Sequence, residues 1–443
     1  MDAKLLLVDE VRLTPILISD PPLLNVQGVH QPFTPRLVVE VVTRGGVVGL
    51  GETYGDGVYL ETARSLAETL PGRAVTHVNS LFEPAAQDAM GAGSGPGAAR
   101  AAAGASDPAA GAGVDASGLR GVRTAAKLRL SVVSAFETAC LDALGKTLGL
   151  PVHALLGGKV RDSVEYSAYL FHRWAAHPGA DGPADDWGAA LDPAGVVAQA
   201  RRFARTYGFR SFKLKGGVFE PEREIAAIRA LAEAFPGHPL RLDPNGAWSV
   251  ETSLAVARAL EDVLEYLEDP ASGTAAMAEV AAGTGVPLAT NMCVTTFEEI
   301  PEAFARGAVR IVLCDHHYWG GLHRTRELAA LCRTYGVGLS MHSNTHLGIS
   351  LAAMTQVAAT LPGLTHASDT HYPWQTEDVV TPRPVFRGGR LPVSDAPGLG
   401  VELDRPALAA LHRRWLDDDG RMRDRDDTAA MRAADPAWRP RRW

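Results

Sequence analysis

Seven polar side chains recur through the carboxyl half of the chain. They are Lys215, Asp243, Glu268, Asn291, Asp315, His342 and Asp369, at separations of 28, 25, 23, 24, 27 and 27 residues. Asp243, Glu268 and Asn291 all offer oxygen, and hard oxygen donors with room left for water suit Mg²⁺ rather than zinc. Lys213 and Lys215 flank Leu214, so on a strand both point the same way. Two like charges crowded beside a metal are expected to depress a lysine pKa and turn an ammonium into a base. Asp315 stands one repeat before His342, and a carboxylate beside an imidazole fixes its tautomer and raises its basicity. A lysine and a histidine on opposite sides of a divalent metal point to abstraction of a proton next to a carboxylate. Such a proton is very weakly acidic and leaves only if Mg²⁺ and a cation such as Lys213 stabilise the resulting enediolate. His342 and His346 are four apart, but no glutamate follows His342 and a strand end is predicted there, which excludes a zinc-protease reading.

Side chains this far apart in sequence need a regular scaffold to converge. From about residue 160, short β-rich runs (FKLKG, RLDPN, LEYLEDP, PLATNM, RIVLCD, GLSMHS) alternate with helical runs such as EREIAAIRALAEAF and LHRTRELAALCRTYG. That alternation predicts parallel βα units, and eight of them predict a closed barrel. One polar residue at the carboxyl end of each strand is how a barrel active site looks in sequence. The amino-terminal sixty residues read as strands, with a Gly-Gly turn between RLVVEVVTR and VVGLGETYG. SVVSAFETACLDALGKTLG reads as an amphipathic helix. Residues 85–120, mostly alanine and glycine, cannot bury enough apolar area to offset chain entropy and are expected to be a mobile loop without chemistry. After residue 385, strand-and-turn text and the helix ALAALHRRWL are expected to join the amino-terminal strands. The predicted fold is α/β: a modified (β/α)8 TIM barrel over 156–384, with an α+β capping domain from 1–155 and 385–443.

The chain has 443 residues, 46% hydrophobic and 21% charged, with a net charge of −8. That balance disfavours a bulk electrostatic grip on nucleic acid or an anionic membrane. No run of 18 apolar residues is present, and MDAKLLLVDEVRLTP mixes acids into its apolar run, unlike a signal peptide. Cys140, Cys293, Cys314 and Cys332 form no CxxC pair and are expected to be reduced, buried thiols, which suits a cytoplasmic enzyme.

Several longer segments carry a family resemblance. KLKGG, ATNMCV and MHSNTHLGISL, supported by DPPLLNVQGVHQPF, RLDPNGAW, LEYLEDP, DHHYWGGL, SDTHYPW and RDDTAAM, resemble the glucarate dehydratases of the enolase superfamily over nearly the whole chain. The resemblance implies one Mg²⁺ held by Asp243, Glu268 and Asn291. It implies Lys215 and His342 as bases on opposite faces, Asp315 supporting the histidine, and Lys213 contacting a substrate carboxylate. It further implies substrate contacts from His30, Tyr169, Asn245, Asn291, Ser343, Asn344, His371 and Arg425, with Asn25 in the same capping loop. The implied substrate is a sugar diacid, D-glucarate or L-idarate, and the implied assembly a homo-oligomer. The residues alone leave open another diacid such as galactarate, epimerisation, or a non-catalytic relative that binds an acid sugar. Two departures stand out: relatives often carry a glutamate shortly after Glu-Asp-Pro, where this chain reads ASGTAAM, and no threonine stands in KLRLS to reach substrate.

Overall fold

The computed structural model describes residues 2–82, 124–178 and 185–443, and the stretch 85–120 lies outside them. Three long strands, β1 (Val8–Ser19), β2 (Phe33–Thr43) and β3 (Val48–Tyr54), form an antiparallel sheet with β2 in the middle. The Gly-Gly turn falls between β2 and β3, with Gly46 at φ 77°. Helices α1 (Gly57–Ala67) and α2 (Ala125–Leu148) pack on this sheet. Thr124 caps α2 by accepting from Lys127 N at 3.2 Å, and Gly149 ends it at φ 69°. The expected amphipathic pattern does not hold for α2, because every residue from Leu130 to Ala143 is buried. One side of the helix packs on β2 and β3, and another meets the short barrel helix His316–Trp319.

The second domain is a barrel of eight parallel strands: β4 (Ser163–Phe171), β5 (Phe212–Lys215), β6 (Leu240–Asp243), β7 (Leu264–Glu268), β8 (Leu288–Thr290), β9 (Ile311–Cys314), β10 (Gly338–Met341) and β11 (Ser368–Thr370). Each pairs with the next up to β10, and β11 returns to β4 with Ser368 opposite Tyr166. The β10–β11 seam is drawn together by a Leu339–Leu364 bridge and by Ser340 Oγ donating to Ala367 O at 2.9 Å. Outer helices α3 (Pro193–Tyr207), α4 (Pro221–Ala234), α5 (Val250–Leu260), α6 (Thr274–Ala282), α7 (Ile300–Ala305), α8 (Leu322–Tyr335) and α9 (Gly348–Ala359) follow β4 to β10 in turn. After β11 a 3₁₀ turn, Tyr372–Trp374, stands in place of an eighth helix. The architecture is therefore a modified TIM barrel with an α+β cap.

The carboxyl-terminal stretch divides its contacts. β12 (Arg390–Pro392) pairs antiparallel with barrel strand β4, contrary to the expectation that everything after residue 385 joins the cap. The first residues of β4, Ser163 to Glu165, precede those that pair with β11 and β5, and it is these that β12 takes. α10 (Arg405–Asp417) does pack on β1, and α11 (Ala429–Ala434) lies against the short strand Gly28–Val29. Gly28, at φ 129°, lets the chain pass Asp427, whose carbonyl would sit 2.5 Å from a side chain there.

Candidate active site

Parallel pairing brings the spaced polar residues to one mouth of the barrel. Lys215, Asp243 and Glu268 are the last residues of β5, β6 and β7; Asn291, Asp315 and His342 come directly after β8, β9 and β10. All six are buried. Lys213 Nζ lies 2.6 Å from both Glu268 Oε2 and Asp369 Oδ2, and 4.0 Å from Asp243 Oδ2. Lys215 Nζ donates to Asp243 Oδ2 and, at 3.3 Å, to Asn245 Oδ1. Both ammonium groups face the Tyr169 ring, 4.4 and 5.5 Å from its centroid. The loop after Lys215 is fixed by Glu224, which accepts from the backbone N–H of Gly217, Val218 and Phe219. Gly217, at φ 72°, has Pro244 O where a Cβ would need to be, so the second glycine of KLKGG is required by close backbone approach.

The expected depression of a lysine pKa is not found at Lys213. Burial works against its charge, but Asp369, Glu268 and Asp243 together outweigh burial and hold it above the ordinary lysine value. Arg241 lies beneath, its Nη1 3.5 Å from Asp369 Oδ1, so Lys213 sits in a fixed ionic layer inside the barrel and does not line the cavity above.

Whether this floor suits Mg²⁺ can be judged from its donors. Burial and the neighbouring Asp243 push Glu268 well above the usual carboxyl range, the sign of a site short of positive charge. With its nitrogen towards the carboxylates, the Asn291 amide donates to Asp269 Oδ2 at 2.9 Å and Glu268 Oε1 at 3.3 Å, and its oxygen accepts from His342 Nε2 at 2.9 Å. Turned over, its oxygen faces two carboxylate oxygens, an arrangement that a cation among them reconciles. Asp243, Glu268 and Asn291 thus fit a hard divalent ion. Asp269, at φ 37°, accepts from Thr290 Oγ1 (2.5 Å) and Asn291 N (2.8 Å) and so orients the amide.

Across the mouth, His342 Nδ1 lies 3.1 Å from Asp315 Oδ2. Burial lowers the His342 pKa by more than Asp315 raises it, so the net basicity falls below that of free histidine, opposite to expectation. Asp315 itself is held well below the carboxylate range, because His317 and His342 outweigh its burial. Asn344 Nδ2 also donates to Asp315 Oδ2, at 2.7 Å, and to the Tyr54 hydroxyl, at 2.6 Å.

One cavity is lined by Asn25, His30, Tyr169, Lys215, His342, Ser343, Asn344, His371 and Arg425. Asn245, Asn291 and Lys213, also expected to meet substrate, lie below that lining. The cavity takes Phe171, Tyr318 and Thr345 as well, which sequence reasoning did not select. Phe171 had a signal, since it shares a strand face with Tyr169; Thr345 lies inside the HSNTH motif. At the far end His30 and His371 are stacked, 6.0 Å between ring centroids, and His30 Nδ1 is 3.1 Å from buried Asp20 Oδ1. Burial pushes His371 down to about 3, so it is neutral. Arg425 forks Nε and Nη2 onto Asp427 at 2.9 and 3.1 Å, while Nη1 reaches the Thr34 and Thr345 hydroxyls at 3.4 and 3.3 Å.

The cap also reaches the segment that follows His342. Glu52 on β3 pairs with Arg36 Nε at 2.9 Å and accepts from Leu347 N (2.9 Å) and Ser350 N (3.0 Å) at the start of α9.

The geometry can be set beside known proteins. The family described as mandelate racemase / muconate lactonizing enzyme, N-terminal domain, matches residues 11–157, and the enolase C-terminal domain-like family matches residues 195–407. The chain is 70% identical to a probable glucarate dehydratase of Streptomyces coelicolor, over 98% of this chain and 97% of that one. A crystal structure of an enolase from Thermobispora bispora, complexed with magnesium and formate, superposes with a TM-score of 0.89 at 53% identity, covering 99% of both chains. An enolase from Mycobacterium smegmatis, complexed with tartrate, superposes at 0.87 with 52% identity, covering 98% of this chain and 97% of that one. The chain belongs to the enolase superfamily, in its mandelate racemase / muconate lactonizing branch.

Proposed function

We propose that this protein is an acid-sugar dehydratase that removes water from D-glucarate and L-idarate, giving 5-dehydro-4-deoxy-D-glucarate. The observation that carries the reading is that Lys215 and His342 line one cavity whose floor is a hard-oxygen donor set and whose far end is lined by His30, His371 and Arg425. A cavity polar at both ends suits a diacid. The 70% identical probable glucarate dehydratase supports the same substrate class.

Asp243, Glu268 and Asn291 would hold magnesium, which when bound supplies positive charge that acidifies the proton next to the reacting carboxylate. Lys213, held charged by its carboxylates, adds a fixed cation at that end. Lys215 or His342 takes the proton, according to the configuration of the reacting carbon. The electron pair left behind expels the neighbouring hydroxyl, to which His342 delivers a proton: the one it has just taken on its own face or, on the Lys215 face, one taken up from solvent beforehand. Water leaves, and the enol tautomerises to the ketone. Tyr169, Asn245, Ser343 and Asn344 would position the chain of hydroxyls, and His30, His371 and Arg425 the remote carboxylate. The enzyme would work in the cytoplasm as a homo-oligomer on a small-molecule substrate.

A panel of sugar diacids with Mg²⁺, followed by semicarbazide absorbance of the keto product, tests the reading. D-glucarate and L-idarate should give product. Turnover of galactarate alone, or of no diacid, would overturn it.

A further inference from the structure

The carboxylate of Asp315 takes two histidines. On one oxygen, Oδ2, it meets His342 Nδ1 at 3.1 Å and Asn344 Nδ2 at 2.7 Å. On the other, Oδ1, it accepts twice from a single residue: the backbone N–H of His317 at 2.9 Å and its Nδ1 at 2.7 Å. The ring of His317 is held at its far edge too, with Nε2 3.0 Å from Ser350 Oγ in the first turn of α9. His317 is fully buried, packed between His316 (4.0 Å between ring centroids) and Tyr54 (5.6 Å), and is not part of the cavity lining.

Asp315 is also the N-cap of the short helix His316–Trp319, and the backbone contact to His317 satisfies that need. The ring contact goes beyond it. A carboxylate oxygen taking two donors from one side cannot rotate freely, which leaves Oδ2 facing His342 in one plane. An acceptor on both rings also sets both tautomers. Each imidazole donates Nδ1–H to Asp315; His317 Nε2 then accepts from the Ser350 hydroxyl, and His342 Nε2, which accepts from the Asn291 amide N–H when that side chain turns its oxygen towards the carboxylates, is the nitrogen that serves proton transfer. We propose that His317 is a positioning residue for the reaction, the brace that fixes the plane of Asp315 and through it the tautomer and aim of His342. The proposal takes its reaction from the function proposed above, but the brace itself has a signature that needs no substrate.

The test uses the magnesium-loaded full chain with His317→Ala, His317→Gln and His317→Asn. Asparagine places its side-chain N–H where Nδ1 stood and glutamine where Nε2 stood. Partners that orient metal-ligating histidines typically matter by about 10- to 100-fold, and a brace on His342 is expected to act on the same scale. D-glucarate kcat should therefore fall about 10- to 100-fold in the alanine and glutamine variants, with KM within about twofold, while asparagine recovers most of it. Solvent-deuterium exchange from L-idarate, begun by Lys215 on the other face, should stay near wild type in all three. In ¹⁵N spectra of histidine-labelled protein, His342 should show one Nδ1–H tautomer in wild type and His317→Asn, and mixed tautomers in the alanine and glutamine variants. Wild-type kcat in the alanine variant, equal losses on both faces, or no recovery with asparagine would overturn the proposal. Should wild type turn over neither diacid, the functional reading fails, and the ¹⁵N tautomers alone then decide the brace.

Discussion

At the floor of the cavity, Lys213, Lys215, Asp243 and Glu268 sit on strands, each locked by ladder partners: Lys213 opposite Tyr169 and Arg241, Lys215 opposite Phe171 and Asp243. At the far end, His30, Thr345 and Arg425 sit on loops from three distant parts of the chain, held by side-chain contacts such as Asn25 Nδ2 to Asp427 Oδ2 at 2.8 Å. A strand end has no slack, so its charges are pre-set for chemistry and a single loss removes a function outright. A loop cluster shares its task among several contacts, and losing one weakens the grip. The contrast also matches burial, since the ionic layer under the floor is sealed while Arg425 keeps some exposure.

The sharpest way to break that contrast is at the metal floor. Asp243→Ala, or exhaustive chelation with EDTA, should abolish measurable turnover, and Mg²⁺ should restore the chelated enzyme alone. Full activity in protein verified as metal-free would refute the ligand set. Next come the two proposed bases, where a positioned acid or base typically contributes about 10²- to 10⁴-fold. Lys215→Ala should lose L-idarate processing by about that factor. His342→Ala should lose D-glucarate dehydration, and unchanged steady-state rates there would remove it from the mechanism.

The loop end should respond more mildly. A charge-assisted hydrogen bond contributes roughly 1.5–3 kcal/mol, so Arg425→Ala should lower kcat/KM by about ten- to a hundredfold. Because remote binding orients the reacting end, kcat should fall as well as affinity. Wild-type kinetics would mean that the carboxyl-terminal segment does not serve the pocket. The smallest effect lies outside the cavity. Thr124→Ala removes the cap of α2 and should cost about 1 kcal/mol, seen as a lower melting temperature with kcat/KM unchanged.

The same contrast explains what was legible beforehand. Strand ends repeat at a nearly constant interval, so Lys215, Asp243, Glu268, Asn291, Asp315 and His342 announced both the barrel and its mouth. The loop end has no period, and His30 and Arg425 could be placed only through resemblance. His317 gave no periodic signal at all: its ring contact exists because a helix turns back on its own cap. Electrostatics was the least legible layer. Two lysines in KLK read as mutual repulsion, but Asp369 arrives 156 residues later to neutralise Lys213. The burial of His342, which outweighs its aspartate, likewise comes from packing rather than from neighbours in sequence.

Glu52 ties the two domains in a way that bears on how they come apart. It grows from the cap sheet, yet the donors it satisfies, Leu347 N and Ser350 N, open the barrel helix that follows the His342 loop. Unfolding the cap alone would carry Arg36 and Glu52 together into water and leave the Leu347 and Ser350 N–H groups at the start of α9 without their acceptor, and an unsatisfied buried donor typically costs about 1–3 kcal/mol. The chain should therefore melt as a single cooperative unit, with one calorimetric transition where two domains would suggest two. It follows that the cap is not an exchangeable module: a graft lacking this carboxylate would release the loop that follows His342 before any pocket side chain had been changed.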